Sequence, residues 1–466
     1  MVLPIGDPVH LHDICTDSVG CLRRLHQLYG NCVAFPHNGQ QTIMGWGQDF
    51  NHSALSDSNR YALYGYPGPK GSSHRVFKNG LLGSNGPEQI KHRRLLMPPF
   101  RKEAVDHSFA SMNRLIEETL EDWRVGDVLD LAATMRGFSL QVTGKLLFGL
   151  EEFDLARTVA QTFQEWLAPY HTMLMVANLP IPAPPGQYEQ MLDAADRLLT
   201  LLREILRQKR ATYRPEQRDV LSLLITAFDA GHISEIDLLG EMHTFLNAAY
   251  QTTSFGLTWM LFLIAQHPLV AWDLLREQKQ VFGNETFTAE HLPKMSWLNC
   301  VMKESLRLFP PVVYNIRAAT DATTFGPFAV PKFTMVMPSY YISHHVAAVF
   351  PNPEQFRPER WHHAEVSPYA YLPFSAGPRM CMGSTFATLL FKMAVTGIFQ
   401  RFRLEVLPNS RINRHAHLTL GVEGSLSIRL HPQDARFTTS PISGNVLDTV
   451  EMPQTIPQVM PERRAA

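Results

Sequence analysis

Residues 242–272 contain no Asp, Glu, Lys or Arg. An uncharged run of that length first suggests a membrane span. Polar side chains interrupt it, however: His243, Thr244, Asn247, Gln251, Thr252, Thr253, Ser254 and Thr258. The pattern therefore predicts a long helix through the middle of a globular core. From 104 to 211 apolar residues recur at helical spacing, with breaks at Val125-Gly126-Asp127 and in the proline-rich 179–186. Phe163, Trp166, Leu167 and Tyr170 form one stripe there, followed by Met173, Leu174, Met175 and Val176; such a stripe is more often core than ligand contact. Near the start, a helix over Asp17–Tyr29 and strands near Cys32–Phe35 and Thr42–Trp46 are expected, with His37-Asn38-Gly39 as turn chemistry. Strand-like pieces return around Ala329–Ser339. Leu418–Val422 and Leu426–Leu430 predict a hairpin about Glu423-Gly424. Beyond Asp434, Pro, Thr and Ser accumulate, and a flexible tail is expected over 435–466.

Of the 466 residues, 45% are hydrophobic and 18% charged, which suits a large core and not disorder. A net charge of -1 carries no electrostatic footprint for nucleic acid, so none is expected as a partner. Five cysteines, at 15, 21, 32, 300 and 381, make no disulfide framework and fit a reducing compartment. Cys15, Cys21 and Cys32 lie among His10, His12, His26 and His37, but without the CxxC or HxxxH spacing of a zinc site. No charged segment followed by an apolar run opens the chain, so neither signal peptide nor membrane anchor is expected, and the location expected is cytoplasmic. Residues 64–87 read as a long loop rich in Gly, Pro and Ser, carrying Lys70, His74, Arg75 and Lys78. Long ordered loops are functional more often than idle. Its basic residues either meet a carboxylate or are simply solvated, the commoner case.

Cys381 has a setting of its own, Phe374-Ser-Ala-Gly-Pro-Arg-Met-Cys-Met-Gly383. Glycines at 377 and 383 let backbone pass close to a large flat group. Nearby N–H donors, Arg379 and the helix that starts after Gly383 all favour a thiolate. A lone cysteine in a Gly-Pro turn is more often core. The whole pattern, Phe-x-x-Gly-x-Arg-x-Cys-x-Gly, resembles the haem-ligand loop of the cytochrome P-450 family. Three more segments follow that family's order. Gly86–Phe100 resembles its third major helix, with Arg93 at the propionate-binding arginine and Gln89 where an aromatic or histidine is usual. Ala248-Ala249-Tyr250-Gln251-Thr252-Thr253 resembles the oxygen-activation segment, usually Ala-Gly-x-acid-Thr-Thr. Ala249 replaces the glycine, and Gln251, which cannot titrate, replaces the acid; on this reading it orients a water. Glu304-x-x-Arg307 before Leu-Phe-Pro-Pro, with Arg360 in Phe356-Arg-Pro-Glu-Arg-Trp361, resembles the family's Glu-x-x-Arg network.

The resemblance covers about residues 15–432 and implies a mostly α fold with a smaller β-rich part (α+β). One domain would occupy 1–434, β-rich at about 30–60 and 315–345, helical at about 88–310 and 381–400. It implies haem b (iron protoporphyrin IX) between the long helix and Cys381, its axial iron ligand. Arg93, Arg317 and Arg379 would neutralise propionates with Gln89 beside them, and Phe374, Gly383 and Ala248 would complete the cradle. Thr252 and Gln251 would manage protons and dioxygen. Phe163, Tyr170, Ala249, Val312, Val313 and Val422 would line a substrate pocket, and Glu304, Arg307 and Arg360 would form a buried structural network. The activity implied is monooxygenation, most often hydroxylation, of a lipophilic small molecule in biosynthesis. The protein would be a monomer receiving two electrons from a separate ferredoxin- or flavodoxin-type donor. The missing acid at 251 leaves a peroxide-driven enzyme open, and a non-catalytic haem-thiolate sensor is a third reading. Retention of Thr252 favours the monooxygenase.

Overall fold

Residues 242–266 of the uncharged stretch lie within a single helix of 32 residues, Glu235–Gln266, and its last residues pass into the next helix. Ser234 and Asp237 start it with a reciprocal capping box, each side chain accepting the other's backbone N–H. Pro268 stops it, because proline lacks the N–H that would continue the ladder, and a new helix runs Pro268–Val281. From Leu238 to Gln266 every residue of the long helix is buried except Asn247, Ala248, Ala249 and Thr252. It packs against the helices Leu131–Gln141, Ser296–Leu308 and Ser384–Arg401. Contact with the last is close at Gly256, where a Cβ would stand 2.7 Å from Phe391 Cζ. This computed structural model describes residues 3–453 apart from 67, 152, 284, 326 and 327. Among these residues no single helix is long and apolar enough to cross a membrane.

The β-rich part is a five-stranded sheet in the order Cys32–His37, Gln40–Gly45, Met335–Pro338, Arg317–Ala319, Tyr61–Leu63. Its first two strands turn about Asn38 and Gly39, both at positive φ (50° and 73°), as a tight hairpin requires. The later hairpin differs from expectation. Leu420–Glu423 pairs with Asn413–Ala416 around residues 417–419, while Ser427–Pro432 pairs with Phe402–Val406 and Val128–Asp130. Alternation marks a strand but not its partner, and Gly424, at φ 73°, connects two sheets instead of closing one hairpin. The expected tail is also corrected over its first part. Ile442–Ser443 pairs with Ser410–Arg411, the Gln266 amide exchanges two 3.0 Å bonds with the Ser440 backbone, and Val446 and Val450 are fully buried. Proline and serine there serve backbone pairing to the core, which composition does not reveal. Residues 454–466 of that tail lie outside the described ones.

Glu304, Arg307 and Arg360 come together. Arg307 grips Glu304 with two 2.9 Å bonds and Arg360 Nε adds a third at 2.9 Å. This cluster joins the end of the helix Ser296–Leu308 to the segment that leads toward Cys381.

Candidate active site

The cysteine loop is shaped by backbone contacts. The Cys381 N–H donates to Phe374 O at 2.8 Å, closing the loop on itself. Ser375 and Gly377 sit at φ 61° and 72°, and a Cβ at 377 would stand 2.2 Å from Leu55 O, so only glycine fits there. Cys381 itself keeps ample accessible surface. Burial pushes its thiol up, while the Gly383 N–H and Arg93 pull it back. Phe374 and Gly383 beside it are also partly accessible.

Three arginines converge around this loop. Arg93 Nη2 donates to Met380 O at 3.0 Å. Arg379 reaches Leu81 O, Ser84 O and Asn85 Oδ1 at 3.2, 2.6 and 2.6 Å. Its guanidinium is lowered to about 10, first by burial and then by repulsion from Arg317 and Arg93. Arg317 is 2% exposed, and its Nε and Nη1 are buried without a partner among the described residues. Gln89 Nε2, His92 Nε2 and Arg379 Nε share that condition. Among the described residues no carboxylate acts on any of the three arginines. A buried cation without a counter-charge is costly, so this set of donors fits a group that brings its own carboxylates. His92 also bonds Glu241 at 2.6 Å; the sequence offered no signal for this pair, which lies 149 residues apart.

On the long helix the accessible window is Asn247–Ala249 and Thr252, with Ala248 and Thr252 one turn apart on one face. The helix is continuous there, but four successive carbonyls each take a hydroxyl donor. Thr252 Oγ1 donates to Ala248 O at 2.6 Å, Ser139 Oγ to Ala249 O and Tyr250 O at 3.2 and 2.7 Å, and Ser254 Oγ to Gln251 O at 3.0 Å. Gln251 is buried and bonded at both ends of its amide, to Gln164 Oε1 at 3.2 Å and from Thr419 Oγ1 at 3.0 Å. It therefore ties three segments together. Gln164 and Thr419 escaped the sequence, because contacts across 87 and 168 residues leave no local trace.

The expected pocket divides. Tyr170, Ala249 and Val312 keep accessible surface, whereas Val422 is nearly buried and Phe163 and Val313 are wholly so. Phe163 and Val313 belong to the core: Phe163 packs among Trp166, His243 and Tyr250. The expected loop is helical over Ser73–Val76 and Phe77–Asn79, and these turns pack against the long helix. Phe77 stacks on His243 at 4.0 Å. His74 accepts from Trp166 Nε1 at 3.2 Å and donates to Tyr66 O at 2.9 Å, and burial lowers it to about 4, so it is neutral.

An accessible thiol beside buried arginine donors without partners fits a protein that holds a carboxylate-bearing group near that sulfur. The cytochrome P450 family model matches residues 10–429, and the chain belongs to the cytochrome P450 family of haem-iron monooxygenases. It is 28% identical to cyclooctatin synthase of Streptomyces melanosporofaciens, over 77% of this chain and 80% of that protein. It is 26% identical to protopanaxadiol 6-hydroxylase of Panax ginseng, over 80% and 79%. Among solved structures, retinoic acid bound cyanobacterial CYP120A1 superposes with a TM-score of 0.79 at 24% identity, covering 92% of this chain and 99% of that one, which shows the fold.

Proposed function

We propose that this chain is a haem b monooxygenase that hydroxylates a lipophilic small molecule, with Cys381 as axial iron ligand and electrons from a separate ferredoxin- or flavodoxin-type donor. The observation that carries the reading is the set of buried arginine donors without a counter-charge around an accessible cysteine. Bound there, a thiolate-ligated haem would supply dioxygen activation. Arg93, Arg317 and Arg379 would bind its carboxylates, with Gln89 adding a neutral donor. Thr252 sits one turn from Ala248 on the accessible face, so its hydroxyl can leave the Ala248 carbonyl to hold a proton or water. Gln251 would fix that stretch of helix against Gln164 and Thr419.

Two measurements test this. The purified protein, reduced and exposed to carbon monoxide, should show the red-shifted Soret band of a thiolate ligand, and turnover should require the donor protein instead of peroxide. A histidine-type band, or no haem at all, overturns the assignment of Cys381; turnover by peroxide alone overturns the donor.

Arg317→Leu gives a further expected outcome. Without haem, the variant should be no less stable than wild type, because a buried unpaired charge has been removed. With haem, transfer to apomyoglobin should be faster by about ten- to a hundredfold, the loss of a charge-assisted bond of roughly 1.5–3 kcal/mol. A haem-free form that is destabilised instead would make Arg317 a structural residue.

A further inference from the structure

Lys70 and Arg75 of the loop 64–87 are exposed, as ordinary solvated cations are. Lys78 is different. Its ammonium and the Tyr170 hydroxyl lie 2.5 and 2.7 Å from the point where a Cβ on Gly65 would sit, so both groups converge on one small space. Protein surrounds both side chains, and both retain some accessible surface. Lys78 Nζ has neither an ion pair nor a hydrogen bond among the described residues, and Arg75, a second cation, repels it. Burial and that repulsion lower it to about 8. The walls are aromatic: Trp166 stacks on Tyr170 at 4.8 Å, and the neutral His74 lies 5.5 Å from the same ring. A partly desolvated ammonium beside a phenol hydroxyl, with no carboxylate against it among the described residues, suits an external one.

From this juxtaposition we propose that the substrate is a lipophilic carboxylic acid whose carboxylate is held by Lys78 and Tyr170; the proposal rests on the monooxygenase reading above. Lys78 follows Phe77, which stacks on His243, and precedes Gly80, packed against Gly240 and Thr244. Thr244 is about 12 Å along the helix from Thr252 at 1.5 Å per residue. An acid anchored there presents to the accessible window carbons well removed from its carboxyl group, so oxidation falls toward the far end of the chain.

The test is optical titration of the haem-loaded protein with a lauric-to-stearic acid series and an isoprenoid carboxylic acid, each beside its methyl ester. In wild type the acids should bind more tightly than their esters. Lys78→Met should weaken the acids by about ten- to a hundredfold and leave the uncharged esters as the internal reference, and Lys78→Arg should restore part of the loss. If acids and esters bind wild type alike, if no acid binds, or if Lys78→Met weakens both equally, the carboxylate anchor is wrong. The carbon monoxide spectrum of the same samples reports separately on the haem-thiolate reading, so the two failures are distinguishable.

Discussion

Cys381→Ser is expected to keep haem and lose the reaction. Apart from the Gly383 N–H that faces the sulfur, the contacts that shape the loop do not depend on it. The residue's N–H bonds Phe374 O, Gly377 fits under Leu55, and Arg93 reaches the Met380 carbonyl. The arginine donors are likewise untouched, so affinity for the carboxylates should survive. A serine hydroxyl cannot supply the electron donation of a thiolate, which drives O–O cleavage. Turnover should fall by about a thousandfold or more, roughly 4 kcal/mol on the barrier, and the red-shifted carbon monoxide band should disappear while haem content stays near that of wild type. Arg317→Leu should give the crossed pattern, with the band in place and haem lost faster. A Cys381→Ser protein that retained the thiolate band would remove Cys381 from the site.

How much of this was legible in the sequence depends on the range of the interaction concerned. The long helix announced itself through the absence of charge over 242–272, and its capping box at Ser234 and Asp237 is local chemistry. Cys32–His37, Gln40–Gly45 and Met335–Pro338 overlap stretches whose turn residues and alternation read as strand, because those signals are local too, whereas Arg317–Ala319 and Tyr61–Leu63 carried no such signal. The hairpin at 418–430 went wrong where the question became which strand pairs with which. Phe163 shows the same limit, since helical spacing puts it on an apolar face and only packing against His243 and Tyr250 says that the face is core. Arg93, Arg317 and Arg379 could be named from motif position. That they lack counter-charges could not, because an unpaired donor is a property of the assembled fold. Lys78 makes the contrast plainest: in sequence it is one of several loop cations, and only burial sets it apart from Lys70 and Arg75.

Glu304→Gln is expected to destabilise the whole protein by about 3–5 kcal/mol, more than any surface ion pair contributes. Glu304 and Arg307 are both fully buried. One carboxylate oxygen accepts from Arg307 Nη2, Arg360 Nε and the Arg357 N–H at 2.9, 2.9 and 3.0 Å; the other accepts from Arg307 Nε and Trp361 Nε1 at 2.9 and 2.8 Å. A glutamine has one acceptor oxygen and no charge, so the substitution strands the Arg307 cation and sets an amide N–H₂ against donors. The damage should also reach the site. Arg307 donates to His344 O at 2.9 Å, and neutral His344, held at about 3 by burial, accepts the Leu372 N–H at 2.7 Å. Leu372 lies two residues before Phe374, where the cysteine loop begins. Exchange of the Leu372 amide should therefore accelerate in Glu304→Gln beyond what the global loss requires. In a double-mutant cycle, Glu304→Gln with Arg307→Met should be less destabilised than the two single losses combined, because the second change removes the charge that the first one strands. Urea midpoints for the four proteins measure this directly. Additive losses, or a Glu304→Gln cost below about 1 kcal/mol, would mean that the network behaves like a surface pair and that the cysteine loop is anchored elsewhere.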